Sequence, residues 1–177
     1  MATSEPLQSI SCLIVSSTGA MRALLTEAIR KIGVADIRHS GSFDDAICKV
    51  RILAFDLIIW AAPFDGQMAL LRFVRRDLRG SSRATPFISV SDKIDVERLI
   101  QLRDTGVTGF MTMPVSLPNI RKKISFALND PREFIDTMDY VGPTRRLPGS
   151  APTLGPLRRI DEIQFFPVFR GPTGVFA

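Results

Sequence analysis

From Ser11 to Asn129, short apolar runs alternate with stretches whose apolar residues recur every three or four positions. The first pattern is that of strands buried on both faces, the second that of amphipathic helices. Leu57-Ile58-Ile59-Trp60-Ala61 is the central run, following Asp56 and leading into a Pro63-Phe64-Asp65-Gly66 turn. Ser11–Val15, Ala35–His39, Pro86–Ser91 and Gly109–Met113 are the other predicted strands. Between them the spacing predicts five helices. The first covers Ala20–Ile32, with Met21, Leu24, Leu25, Ala28, Ile29 and Ile32 inward and Gly33 as its stop. The second opens on Ser42, with Asp45 three residues on as in a capping box, and runs to about Leu53. It is expected to bury Phe43, Ile47, Val50 and one of Ile52 or Leu53. The third covers Gly66–Arg79 with Met68, Leu71, Val74 and Leu78 inward. The fourth follows a cap at Asp92 and carries Ile94, Leu99, Ile100 and Leu102. The fifth follows a cap at Ser116, with Leu117, Ile120, Ile124 and Leu128 on one face. Five strands alternating with five helices predict an α/β fold: a three-layer, doubly wound parallel sheet of order 2-1-3-4-5.

The pattern stops near Asn129. Residues 131–177 contain seven Pro and five Gly among 47 residues, too many for long regular elements. Tyr140, Phe165, Phe166, Phe169 and Phe176 nevertheless make the stretch richer in aromatics than a solvated linker. The expected organisation is an N-terminal tail (1–10), a sheet domain (11–129) and an extended arm (130–177) that docks on its own domain or on a partner. Gln164-Phe165-Phe166-Pro167-Val168-Phe169 would be an aggregation hazard if left free and is expected to be buried.

Composition adds bounds. Of 177 residues, 45% are hydrophobic and 23% charged, a globular balance. No apolar run is long enough to span a bilayer, and Met1–Gln8 lacks a signal-peptide pattern, so a cytoplasmic protein is expected. Cys12 and Cys48 lie in apolar-patterned segments and are expected to be buried, reduced thiols. A net charge of +5 and pI near 9.8 favour acidic partners without specifying nucleic acid. Arg72, Arg75, Arg76 and Arg79 fall along one side of the third helix, with Arg83 beyond. This basic stripe reads either as a solvated face or as a docking strip for an acidic protein or a phosphate backbone. The second use makes a nucleic-acid-associated regulator the alternative function, although no nucleic-acid-binding signature accompanies the charge.

Binding groups in such sheets sit at the C-terminal strand ends. Here the central strand ends in Trp60, Ala61, Ala62 and Pro63, with no acid, nucleophile or ligand before Asp65. Asp65 precedes a glycine and reads as a turn residue. Ser16 and Ser17 suit turn and capping roles. His39, without a Ser, Asp or Cys partner in a motif, reads as a strand-end residue.

Four spellings, in order, carry a resemblance. They are Cys12–Arg22 (Cys-Leu-Ile-Val-Ser-Ser-Thr-Gly-Ala-Met-Arg), Asp56–Gly66, Pro86–Ser91 (Pro-Phe-Ile-Ser-Val-Ser) and Gly106–Pro114 (Gly-Val-Thr-Gly-Phe-Met-Thr-Met-Pro). Over about two thirds of its length the chain resembles the receiver domain of bacterial two-component response regulators, which implies a flavodoxin-like fold. The family holds Mg²⁺ with two acids after the first strand and an acceptor Asp at the end of the third, as a hard cation requires. By that resemblance Ser16 and Ser17 stand at the acidic pair and Met113 at the conserved lysine. Ala61 stands at the acceptor, or Trp60 or Ala62 if the register slips. Ser91 keeps a polar switch position, and Phe110 stands at the mobile aromatic. Without acids, acceptor and lysine, neither nucleophile nor charge stabilisation remains for phosphoryl transfer. The expectation is a non-phosphorylatable pseudo-receiver, not an enzyme, with no cofactor and no metal, acting in phosphorelay signalling through protein contacts. Its expected partners are a histidine kinase, a phosphotransfer protein or another signalling component, with a homodimer left open. In the arm, Tyr140, Gly142, Pro143, Arg145 and Arg146 resemble a short sequence that follows some single-domain receivers. They are candidate anchors, or residues that order the arm on its own domain.

Overall fold

The computed structural model describes residues 7–61, 64–93, 96–145 and 164–166, with the backbone alone at 64, 65 and 164–166. A 3-10 turn at Leu7–Ser9 leads into β1 (Ser11–Val15), and the elements follow as α1 (Gly19–Lys31), β2 (Asp36–Ser40), α2 (Phe43–Ile52), β3 (Leu57–Trp60), α3 (Phe64–Arg76), β4 (Phe87–Ser91), α4 (Val96–Thr105), β5 (Gly109–Thr112) and α5 (Leu117–Leu128). All four pairings are parallel and the sheet order is β2-β1-β3-β4-β5, as the sequence predicts. Ser42 caps α2 by accepting from the Asp45 N–H, and Ser116 caps α5 by accepting from the Asn119 N–H.

Because strand side chains alternate, the sheet feeds two apolar layers. Cys12, Ile14, Leu57, Ile59, Ile88 and Met111 face α1 and α5, meeting Leu25, Ile29, Ile120 and Ile124. Leu13, Val15, Ile58, Trp60 and Phe87 face the other side, meeting Ala46, Val50, Leu70, Leu71, Val74 and Leu102. Gly66 belongs to this second layer: a Cβ there would lie 3.0 Å from the Trp60 indole. The indole therefore packs flush against the first turn of α3.

Several inward assignments change. Ile52 is 81% exposed, and Leu53 is exposed as well, because α2 turns Ala46 and Val50 inward and ends at Ile52. Leu24, Ile100 and Leu117 are exposed, and α4 buries Leu102 alone among its residues. On α3, Gln67, Leu70, Leu71, Val74 and Arg75 are buried and Met68 is half-buried; the helix ends at Arg76, so Leu78, also half-buried, lies beyond it. Cys12 is buried as expected but Cys48 is exposed, on the outer side of α2. Ile94 and Asp95 lie outside the described residues.

The arm is not featureless. β6 (Phe134–Asp136) and β7 (Val141–Pro143) form an antiparallel hairpin, and β8 (Gln164–Phe166) adds to the other side of β6. Phe134 and Val141 bury against Ala84, forming a small separate core. The hairpin therefore docks on its own domain. It does so at the N-terminal edge of the sheet, beside the residues that lead into β4 and β5. Burial of Phe165 and Phe166, and everything concerning Pro167–Phe169, Phe176 and Arg146, lies outside the described residues.

Candidate functional site

The C-terminal strand ends converge at the opposite edge. Val15 pairs with Trp60, so Ser16 and Ala61 are the next residues out, and the Ala61 N–H donates to the Val15 carbonyl at 2.8 Å. Ala61 thus stands directly after β3. Ser16 is fully buried. Its N–H donates to the Ser40 carbonyl, and its hydroxyl accepts from the Thr18 N–H at 3.3 Å. The hydroxyl is thus spent on the β1–α1 turn, while Ser17 is exposed. Ser91 donates from Oγ to the Lys93 carbonyl at 2.6 Å, and the Met113 N–H donates to the Ser91 carbonyl at 3.0 Å. The Met113–Pro114 peptide bond is cis. Phe110 is half-buried on β5, with the Lys123 ammonium 5.5 Å from its ring centroid.

One cation near this edge is not apparent from the strand ends alone. Arg22, in the first turn of α1, donates from Nη1 to the Ser16 carbonyl. A Cβ on Gly41 would lie 3.5 Å from the same guanidinium, which places it between the ends of β1 and β2. The one available sequence signal was its place one turn into the helix that follows β1. A divalent cation needs a cage of oxygens rich in carboxylate. Ser16, Ser17, Ala61 and Met113 supply no carboxylate, and Arg22 puts positive charge beside the Ser16 carbonyl. These residues do not fit Mg²⁺. Among the described residues, no group of three or more His, Cys, Asp or Glu could hold a metal ion. The Asp65 side chain is outside the described residues.

The basic stripe is interrupted at its centre. Arg75 is 1% exposed, because α3 turns it inward under the N-terminal edge of β4 and β5. Its Nε donates to the Gly106 carbonyl at 2.9 Å, Nη1 to the carbonyls of Arg83 and Thr85, and Nη2 to the Thr108 hydroxyl. The Phe134 ring centroid is 5.6 Å away. Arg83 returns a bond to the Arg75 carbonyl and forms a two-pronged ion pair with Asp136 of β6. Arg76 donates to the Met138 carbonyl at 3.0 Å. Arg72, Arg76 and Arg79 are exposed. The helical spacing does not hold to the end, because α3 stops at Arg76 and Arg79 lies beyond it. What it could not show is that an arginine can occupy an inward position when carbonyls converge on it.

The arm candidates are likewise turned on their own domain. The Tyr140 hydroxyl donates to the Pro143 carbonyl at 2.6 Å, and the Arg145 guanidinium lies 4.7 Å from the Tyr140 ring and 3.3 Å from the Asp104 carboxylate. A Cβ on Gly142 would fall 2.6 Å from the Gly106 Cα, and one on Gly106 2.3 Å from the Val141 carbonyl oxygen. Two glycines therefore permit backbone contact between the α4–β5 loop and β7. Arg132, ahead of the hairpin, pairs with Asp130 and donates to the Thr108 carbonyl at 2.8 Å.

His39 is exposed on the outer strand β2. Partial burial, together with Arg22, Arg30 and Lys49, holds its pKa below the usual imidazole value. Its carbonyl accepts from Lys49 Nζ at 2.6 Å, a contact that blunts the sheet edge.

The doubly wound order and flanking helices are those of the flavodoxin-like, CheY-type receiver fold. No family model matches the chain. The chain is 25% identical over 114 residues to the chemotaxis protein CheY of Pseudomonas aeruginosa, covering 63% of this chain and 90% of that one. Chemotaxis protein CheY4 of Vibrio cholerae superposes with a TM-score of 0.59 at 18% identity, over 67% of this chain and 98% of that one. The receiver domain of a signal-transduction histidine kinase from Syntrophus aciditrophicus gives 0.59 at 19% identity, over 69% and 92%.

Proposed function

We propose that this chain is a signalling module of receiver type that works by protein contact, with a strand-end pocket that does not accept a phosphoryl group. The carrying observation is the placement of Ser16, Ser17, Ala61 and Met113 at the ends of an intact receiver-like sheet, with Arg22 bonded to the Ser16 carbonyl. Phosphoryl transfer needs a nucleophile and charge stabilisation at the same point. The reading therefore assigns the module no enzymatic role and places it in the cytoplasm of a bacterial two-component pathway. Its partners would be a histidine kinase, a phosphotransfer protein or a related component. Among the described residues, no helix is long and apolar enough to cross a membrane. The contact face is made by α4, β5 and α5. Val96 is 72% exposed there, and Ile100 and Leu117 are exposed too, so the face offers apolar side chains to a partner. Incubation with acetyl phosphate and Mg²⁺, followed by intact mass measurement, tests the pocket. The expected result is no added mass. An acid-labile phosphoryl adduct on the folded protein would sink the reading.

The nucleic-acid reading through Arg72–Arg83 loses its main support, because Arg75 is buried and Arg83 is paired with Asp136. Arg72, Arg76 and Arg79 stay exposed, but with Arg75 and Arg83 drawn into the domain they do not make a continuous stripe.

A further inference from the structure

A second positive surface lies elsewhere, between α1 and β2, where an open groove of about 640 Å³ is lined by Arg22, Thr26, Glu27, Arg30, Lys31 and His39. Arg30 has no ion-pair partner among the described residues, and Lys31 is held only by Glu27, through an exposed i,i+4 pair with side-chain exposures of 57% and 69%. Such pairs contribute little and exchange readily for a better anion. Arg22 and Lys49 add positive charge nearby, and burial first, then Arg22, Arg30 and Lys49, hold the pKa of His39 down. The only acid lining the groove is Glu27. Asp36 and Asp45, just outside it, are engaged by Arg38 and Lys49.

Two further features narrow the occupant. The lining holds no Phe, Tyr or Trp, leaving His39 as its one aromatic ring and no run of rings on which successive bases could stack. The groove also meets β2 at His39, and β2 is the outer strand of the sheet, bonded to β1 on one side only. Apart from the His39 carbonyl, which Lys49 takes, such an edge offers backbone groups to an extended peptide, and arginine forks receive carboxylates in two-pronged fashion.

We propose that the α1–β2 groove docks an acidic, extended peptide segment of a partner protein, with its carboxylates received by Arg30, Lys31 and Arg22. This goes beyond the proposed function, which leaves the partner's chemistry open, and it concerns a different surface from α4–β5–α5. It stands or falls independently of phosphoryl uptake.

The test is an amide-resonance titration of the isotope-labelled full chain at low salt. The probe is an alternating Glu-Val octapeptide, and its Gln-Val counterpart is the control. The expected result is shifts concentrated in Gly19–Lys31 and Asp36–Ser40, at least about tenfold weaker binding of the Gln peptide, and weakening as salt rises through the screening range. The double variant Arg30→Glu, Lys31→Glu alters exposed residues, so its spectrum should stay dispersed while binding drops by about tenfold or more. Absence of shifts at these two elements, equal binding of both peptides, or unchanged affinity in the folded double variant would each overturn the proposal. So would a deoxythymidine oligonucleotide that binds the same residues more tightly than the Glu peptide.

Discussion

The Arg75 guanidinium, on α3, donates to the Gly106 carbonyl 31 residues away at 2.9 Å, beneath the Phe134 ring of the arm. One buried side chain thus ties the third helix, the two loops leading into β4 and β5, and the first strand of the arm. Replacing it with Met would leave several buried carbonyls without a donor, at a cost of about 3 kcal/mol in urea unfolding. Arg75→Lys should recover little, because an ammonium cannot reach four acceptors in one plane. Arg72→Ala and Arg79→Ala, at exposed positions, should stay within about 0.5 kcal/mol of the parent. Equal effects at all three positions would refute the buried clamp.

Gly106 has φ +92, and a Cβ there would meet the Val141 carbonyl oxygen at 2.3 Å. Gly106→Ala should therefore push the β6–β7 hairpin away as well as strain the loop, destabilising by more than about 2 kcal/mol. Limited proteolysis should then cut between Pro131 and Arg145, a region that resists in the parent. Protection that persists in the variant would argue against the docked hairpin.

Tyr140 is the sole tyrosine, so ultraviolet titration reports it directly. Burial raises its pKa, although Arg145, Arg75 and Arg132 pull the other way. The midpoint should lie above the ordinary value of about 10. A folded pKa above the unfolded one means stability is fully present below about pH 10 and is lost as pH rises through the folded value. Tyr140→Phe should remove that alkaline dependence, together with the bond to the Pro143 carbonyl.

His39 is the sole histidine, and its ring resonances should titrate below the free value of about 6.5. The folded state prefers the neutral ring. Its contribution is therefore present above about pH 6.5 and lost as pH falls from there through the lower, folded value. Arg30→Gln should move the midpoint upward, whereas a midpoint unchanged in that variant would contradict the shared positive field.

Thiol reactivity separates the two cysteines. Cys48 is exposed, whereas Cys12 is buried in β1 and its thiol pKa is pushed well up. One fast and one silent thiol are expected with an aromatic disulfide reagent, and Cys48→Ser should abolish the fast phase.

The order of strands and helices, and the two apolar layers around Leu57–Trp60, are determined by the sequence by itself. Period-two and period-3.6 burial are local properties that leave a mark on every residue. The bare chemistry of the strand ends was legible too, because Ser16, Ser17, Ala61 and Met113 follow their strands directly. Tertiary structure alone decided what no period encodes. Arg75 lies on the expected helix, but the carbonyls that draw it inward come from Arg83, Thr85 and Gly106. The arm's composition promised docking, yet its seat depends on contact between Gly106 and Gly142, 36 positions apart by number. Arg22 and His39 meet along one groove because β2 folds beside α1. Such convergence is a matter of distance in space, and hydrophobic patterning carries no information about which polar groups the folded chain brings together.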